Sequence, residues 1–301
     1  MVLFIILLLC LICVILILFV YYGRQSNENH TPSSIPDPKV SIYVVTYNAH
    51  KQLEHTIKTW LKHDHFFTKT RNILIDNSTC KDSRNQNADI CKRYNIEHLL
   101  SEGNVGINRG RLKVAEHFQN SDSDYYIFLE DDMGIHPPIH NLCRCGLTTY
   151  VPDLFTKILK IMISSSDLDF LKLSFSEIYM DNNIQVSWYN VPQNIKNKIW
   201  PARSYPQCPK TRLKEINIVE GLGYVTGEIY YCNWPLITGK SGNQKMFLNK
   251  KWKDPYEQEF MSYMFQLQRK NKLLGGVLLA SPILHNRIQS YSIEERRENY
   301  E

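Results

Sequence analysis

Glycine and proline are scarce, at 13 each in 301 residues, which excludes a collagen-like or low-complexity chain. No internal repeat is visible at a period of roughly 20 to 50 residues, so solenoids and propellers are excluded too. Charge of one sign is also lacking. Thirty-five basic residues face 30 acidic ones for a net +5, and no basic block stands out, which argues against nucleic acid as a partner. No G-x-G-x-x-G follows the first β-branched run, so the dinucleotide fingerprint is missing. The Cys143-x-Cys145 spacing fits neither a zinc knuckle nor a redox pair. The six cysteines beyond Cys10 and Cys13 are compatible with thiols or with three disulfides.

One feature is present in excess. The 21 residues from Val2 to Tyr22 are apolar and uncharged. At about 1.5 Å per residue they make a helix of roughly 31 Å, the thickness of a bilayer's hydrocarbon. The run has no basic region before it and no small-residue cleavage site, so a single-pass anchor over 1–22 is expected rather than a signal peptide. Arg24 and Lys39 follow the span and none precedes it, which weakly favours a cytosolic main domain. The sequons Asn29-His30-Thr31 and Asn77-Ser78-Thr79 permit a lumenal one, and the side stays open. Residues 23–38 are polar with three prolines and read as a flexible stalk. The rest, 39–301, is long enough to bury a full core.

In that part apolar strands alternate with amphipathic helices. Val40–Thr46 is a buried-strand candidate, followed by a helix from about Lys51 to His63 with Leu53, Ile57, Trp60 and Leu61 on one face. Strands at Asn72–Ile75, Ile96–Leu100 and Tyr125–Leu129 follow, with helices near Ala88–Tyr94 and Ile107–Gln119 between them. Short connections of this kind predict an α/β fold, a mostly parallel sheet with helices on both faces. Ligands then bind beyond the carboxyl ends of the strands. Two such ends carry acids here: Asp76, and the cluster Glu130-Asp131-Asp132. Three consecutive acids after an apolar strand repel one another, and hard carboxylate oxygens suit Mg²⁺ or Mn²⁺.

These segments resemble the GT-A fold glycosyltransferases, particularly the family-2-like enzymes that use nucleotide-diphosphate sugars. The likeness runs with gaps from Val40 to about Arg287. It implies a nucleotide-sugar-binding half over 39–135 and an acceptor half over 136–301. By resemblance, the turn after VSIYVV puts Thr46 and Tyr47 at the nucleotide, with the tyrosine ring on the base, and Asp76 in LIDNST hydrogen-bonds that base. GNVGINRGR (103–111) resembles the segment lining the diphosphate, giving Asn104, Gly106 and Arg111. EDD stands where the family has its DxD motif. That implies Glu130 on ribose or sugar, Asp131 on the nucleotide, and Asp132 on a divalent metal bridging the phosphates, with His285 in SPILHNR completing the metal site.

In the second half, GKSGN (239–243) resembles a loop approaching the donor. DPYEQEF (254–260) resembles the base-bearing motif, which makes Glu257 the catalytic base with Glu259 and Asp254 as rivals. Tyr256 and Glu257 depart from the usual residues there. An aromatic stretch from Tyr179 to Tyr231, with Trp188, Tyr189, Trp200, Tyr205, Tyr224 and Tyr230, is the acceptor-side candidate. The implied activity is metal-dependent, inverting transfer of a sugar to a hydroxyl of a glycan, protein or lipid. Two alternatives stay open: a non-catalytic anchored glycan-binding or scaffold protein, and a nucleotidyltransferase. The second would need a glycine-rich basic loop where this chain has TYNAHKQ.

Overall fold

The computed structural model describes residues 37–63, 65–143, 146–175, 178–179, 183–184, 213–229, 231–250 and 256–288. The chain divides into two units, Met1–Pro38 and Lys39–Glu301, and the fold is that of the second. The expected anchor and nearly all of the stalk lie outside the described residues. Among the described residues no helix is long and apolar enough to cross a membrane.

The first half forms as its pattern dictates. Strand β1 (Val40–Thr46) is buried throughout and lies between β2 (Arg71–Asp76) and β4 (Tyr125–Glu130), parallel to both, while β3 (Glu97–Leu100) extends β2 in parallel. Alternation sends Ile42, Val44, Ile127 and Leu129 to one face, where α1 (His50–Leu61) adds Leu53, Ile57 and Trp60. Tyr43, Val45, Tyr126 and Phe128 point to the other face, covered by Val114 and Phe118 of α3 (Gly106–Asn120). Helix α2 (Lys81–Tyr94) starts well before Ala88, the expected start. Its buried face carries Ser83 and Asn87 ahead of Ile90 and Cys91, so no apolar period marks the first turns.

The expectation of a mostly parallel sheet holds for that half only. The large sheet has nine strands in the order β3-β2-β1-β4-β11-β6-β12-β10-β9. Here β6 is Phe170–Lys172, β9 Leu213–Val219, β10 Leu222–Gly227, β11 Leu236–Gly239 and β12 Gly275–Leu278. Strand β11 runs antiparallel to both β4 and β6, and β10 antiparallel to β12 and β9, leaving β6–β12 as the one parallel pair beyond β4 among the described strands of this sheet. Helix α4 (Leu154–Ser164) joins the α1 face. The opposite face is covered by Met246 and Phe247, in the π-helical turn that follows the short helix α5 (Lys240–Asn243), and by α6 (Tyr256–Arg269).

A second sheet sets the site. Its order is β5-β13-β7-β8, with β5 at Met133–Ile135, β7 at Ile178–Tyr179, β8 at Asn183–Ile184 and β13 at Ile283–His285. Antiparallel pairing of β13 with β5 puts His285 opposite Met133. A residue from near the end of the chain thereby reaches the end of β4.

Candidate active site

The strand order reverses between β1 and β4, because β2 and β3 extend the sheet to one side of β1 and β4 lies on the other. The crevice beyond the carboxyl ends of such a pair is where open α/β sheets hold ligands. Thr46 closes its floor by donating its hydroxyl to Asp131 Oδ2 at 2.6 Å, both groups buried. Backbone bonds hold the edge in register: Asn77 N–H to Thr46 O at 2.9 Å, and Asp131 N–H to Val45 O at 3.2 Å. The Thr56 hydroxyl of α1 donates to the Asp131 carbonyl.

Asp132 is 1% exposed and meets His285 and Arg287. Its Oδ2 lies 2.8 Å from His285 Nε2, and accepts from Arg287 Nε at 3.0 Å and Nη2 at 2.5 Å. Gln52 on α1 fixes the segment that follows β13 and carries Arg287, donating to Asn286 O at 2.8 Å and accepting from Ile288 N–H at 2.5 Å. The two neighbouring carboxyls are driven apart. Burial, reinforced by the charge on Asp132, pushes Asp131 above the ordinary carboxylate range, against the Thr46 hydrogen bond. Burial acts the same way on Asp132, but the bonds and charges of His285 and Arg287 outweigh it and hold that carboxyl low.

Whether this edge suits a divalent cation can be read from its donors. Asp132 Oδ1 is buried, with no hydrogen-bond partner among the described residues, which leaves a carboxylate oxygen for a metal; His285 Nε2, which here meets Oδ2, would join it only as neutral imidazole released from that contact. Among the described residues no three His, Cys, Asp or Glu side chains gather as a full ligand set. A two-residue set fits an ion that keeps waters and substrate phosphate oxygens as its other ligands, as Mg²⁺ does.

The other expected residues sort by exposure. Tyr47 is half-buried at the turn, its hydroxyl 3.4 Å from Thr79 Oγ1. Asn48 takes a left-handed conformation (φ 48°) and its Oδ1 accepts from the Thr79 and Cys80 N–H groups at 3.0 Å. Asn104 and Gly106 form the half-exposed turn into α3, where Asn104 Oδ1 accepts the Gly106 N–H at 3.0 Å and Gly106 needs its φ of +71°. Glu130 is half-buried at the end of β4.

Three expectations are corrected. Asp76 does not reach the surface of the crevice: it is wholly buried, and its carboxylate accepts from Ser78 N–H at 2.9 Å and Asn87 Nδ2 at 3.0 Å, with His98 Nε2 at 2.9 Å. It braces the loop instead. Arg111 does not line the strand ends. It is 1% exposed, its guanidinium carbon 3.8 Å from the Phe128 ring centre and 4.2 Å from that of Phe247. GKSGN lies at the opposite edge of the sheet, because β11 is antiparallel to β4 and Gly239 pairs with Tyr125 at the start of that strand. Its glycine answers a packing need: a Cβ on Gly242 would stand 2.0 Å from the Asp169 carbonyl oxygen.

Of the acids near α6, Asp254 lies outside the described residues, and so does the Glu257 side chain, although its backbone is in the helix. Glu259 is partly exposed, 3.7 Å from Lys250 Nζ. In the aromatic stretch, Tyr224 and Tyr231 are core residues at 4% and 2% exposure rather than an acceptor surface. Trp188, Tyr189, Trp200, Tyr205, Tyr230 and the Tyr179 side chain lie outside the described residues. Reading the sequence did not assign Gln52, Thr56 or Arg287 to the site. Only Arg287 had a local signal, two residues after His285.

No family model matches this chain, and no curated protein matches it. Solved structures do. S. aureus TarS 1–349 in complex with UDP-GlcNAc is 14% identical with a TM-score of 0.49, over 84% of this chain and 60% of that one. A second TarS 1–349 structure gives 15% identity and 0.47, over 82% and 60%. The mannosyltransferase PcManGT from Pyrobaculum calidifontis, in complex with GDP-Man and Mn²⁺, gives 12% and 0.36, over 52% and 42%. The chain therefore spans 60% of the TarS chain and less of the mannosyltransferase. At these scores the likenesses decide neither fold family nor activity.

Proposed function

We propose that this chain is a glycosyltransferase that moves a sugar from a nucleoside-diphosphate donor to an acceptor hydroxyl with the help of a divalent cation. The observation that carries the reading is the meeting of Asp132, His285 and Arg287 at the reversal point of the sheet, with Asp132 Oδ1 unmet among the described residues. These groups meet across 153 and 155 residues of chain. A buried carboxylate stripped of water and left half-satisfied is costly in a merely structural role.

The roles follow from position. Asp132 and His285 would hold the cation, which when bound neutralises charge on the departing diphosphate. His285 ligates only as neutral imidazole. Arg287, fixed on the same carboxylate, adds a second positive charge toward the leaving group. Tyr47 offers its half-buried ring to the nucleobase, while Asn104, Gly106, Glu130 and Asp131 frame the rest of the donor. Asp76 works from behind by fixing the Asn77–Thr79 loop. At the acceptor side Glu257, or its rival Glu259, removes the hydroxyl proton. The freed oxygen attacks the anomeric carbon, the bond to the diphosphate oxygen breaks, and configuration inverts. The Val2–Tyr22 run anchors the enzyme in a membrane, and the acceptor is a glycan, protein or lipid presented there.

Thermal unfolding with UDP, GDP or CDP, each with Mn²⁺ or EDTA, tests the donor site. A ligand at 100 times its Kd stabilises by about 2.7 kcal/mol, so one nucleotide should raise the midpoint only with metal. Asp132→Asn should abolish both that shift and turnover. No shift with any nucleotide overturns the reading, and binding without transfer favours the non-catalytic alternative.

A further inference from the structure

Arg111 is a permanent cation buried in the core. Its guanidinium lies against Phe128 and Phe247, with the Tyr126 ring centre 5.4 Å away. Phe247 in turn stacks on Phe260, ring centres 4.8 Å apart and planes 18° from parallel, and Tyr231 closes on Phe260 at 4.4 Å. All four members of the column Phe128–Arg111–Phe247–Phe260 are at most 1% exposed.

What the column joins gives it meaning. Phe128 lies on β4, two residues before Glu130 and four before Asp132. Phe260 lies in the opening turns of α6, one residue after Glu259 and three after Glu257. Phe247 is delivered by a single π-helical turn, Gln244–Leu248, whose widened geometry is frequent at functional sites. A planar guanidinium can stack on an aromatic face, which an ammonium cannot, and it never loses its charge.

We infer that Arg111 is a positioning residue. Through the Phe247–Phe260 stack it sets the distance between the donor edge at the end of β4 and the first turn of α6, which carries the candidate base. The inference rests on the transferase reading and deepens it. Effects on k cat through a misplaced base are expected at this scale, since an ångström of displacement is worth about a hundredfold in rate.

The test uses the full chain with Arg111→Met, Arg111→Lys and Phe247→Leu, the last two guarding against a variant that fails to fold. Affinity for the stabilising nucleoside diphosphate with Mn²⁺ should stay within about twofold, while kcat falls by at least about tenfold at nearly constant donor KM. Arg111→Lys should recover little, because the planar face is gone. Hydrogen exchange should quicken at amides 256–264 and stay unchanged along Tyr125–Glu130. Loss of nucleotide affinity with kcat kept would make Arg111 a donor ligand instead. An unchanged kcat with a lowered Tm would reduce it to packing. Should the wild-type chain show no transfer at all, the exchange experiment still decides the matter: no quickening at 256–264, or quickening everywhere, overturns the inference.

Discussion

At the residue scale the site is governed by which carboxylates have partners. Burial alone would push Asp76 up, but bonds from His98, Ser78 and Asn87 outweigh it and hold the carboxyl below its ordinary range. A group with a depressed folded pKa stabilises above its unfolded value, about 3.9 for Asp, and the gain is lost as pH falls through the folded value. Asp76→Asn should therefore lower Tm at pH 7, with the difference from wild type narrowing below about pH 3.9 in a pH series of melts. Asn77 beside it is 2% exposed, its Oδ1 accepting the Ser101 hydroxyl at 2.7 Å. A Cβ on Gly110 would stand 2.9 Å from Asn77 Nδ2, which shows how little room a glycan would have. Mass spectrometry of folded protein made in a glycosylating host should find Asn77 bare. An occupied Asn77 in folded chain would refute this loop's placement.

Elements are locked by side chains that bridge them. Lys240, at the start of α5, donates its ammonium to the carbonyls of Phe118, of Gln119 at 3.2 Å and of Ser121 at 2.9 Å, capping the C-terminus of α3. Asn243 adds bonds to Ala115 O and Gln119 Oε1, both at 2.9 Å. Lys240→Met should cost about 1–3 kcal/mol, because three carbonyls lose their donor. Gly242→Ala should cost at least about as much, since the clash is with the Asp169 backbone and no side chain can turn away. Each kcal/mol lowers Tm by about 2–4 °C in a domain of this size. Neither change should alter nucleotide affinity, because both lie at the edge of the sheet opposite the site; nucleotide titrations of the two variants check this.

For the whole molecule, one unit accounts for the described fold. The division falls between Pro38 and Lys39, and the described core draws on no residue before Val40. Residues 39–301 expressed alone should therefore be folded, with a Tm within about 2 °C of the full chain in detergent, a difference under about 1 kcal/mol. A molten or aggregated product would mean that the first 38 residues contribute to stability. The same pair of proteins tests the anchor: the full chain should partition with membranes and resist salt and alkaline extraction, and residues 39–301 should not.

By itself the sequence determined the elements whose order is local. The β-branched run at Val40–Thr46, the amphipathic stripe of α1 and the acids after β4 were legible because a strand or helix burying one face shows its period, and a charge cluster after an apolar strand shows itself. The start of α2 was not, since Ser83 and Asn87 are buried polar residues with hydrogen-bonding reasons to be inside. Only the tertiary structure decided that β11 turns antiparallel and carries GKSGN away from the donor edge, that β13 pairs with β5 and brings His285 and Arg287 to Asp132, and that Asp76 and Arg111 face inward. Those are pairings across a hundred residues or more in chain, and side-chain directions set by what packs opposite, neither of which a local pattern encodes.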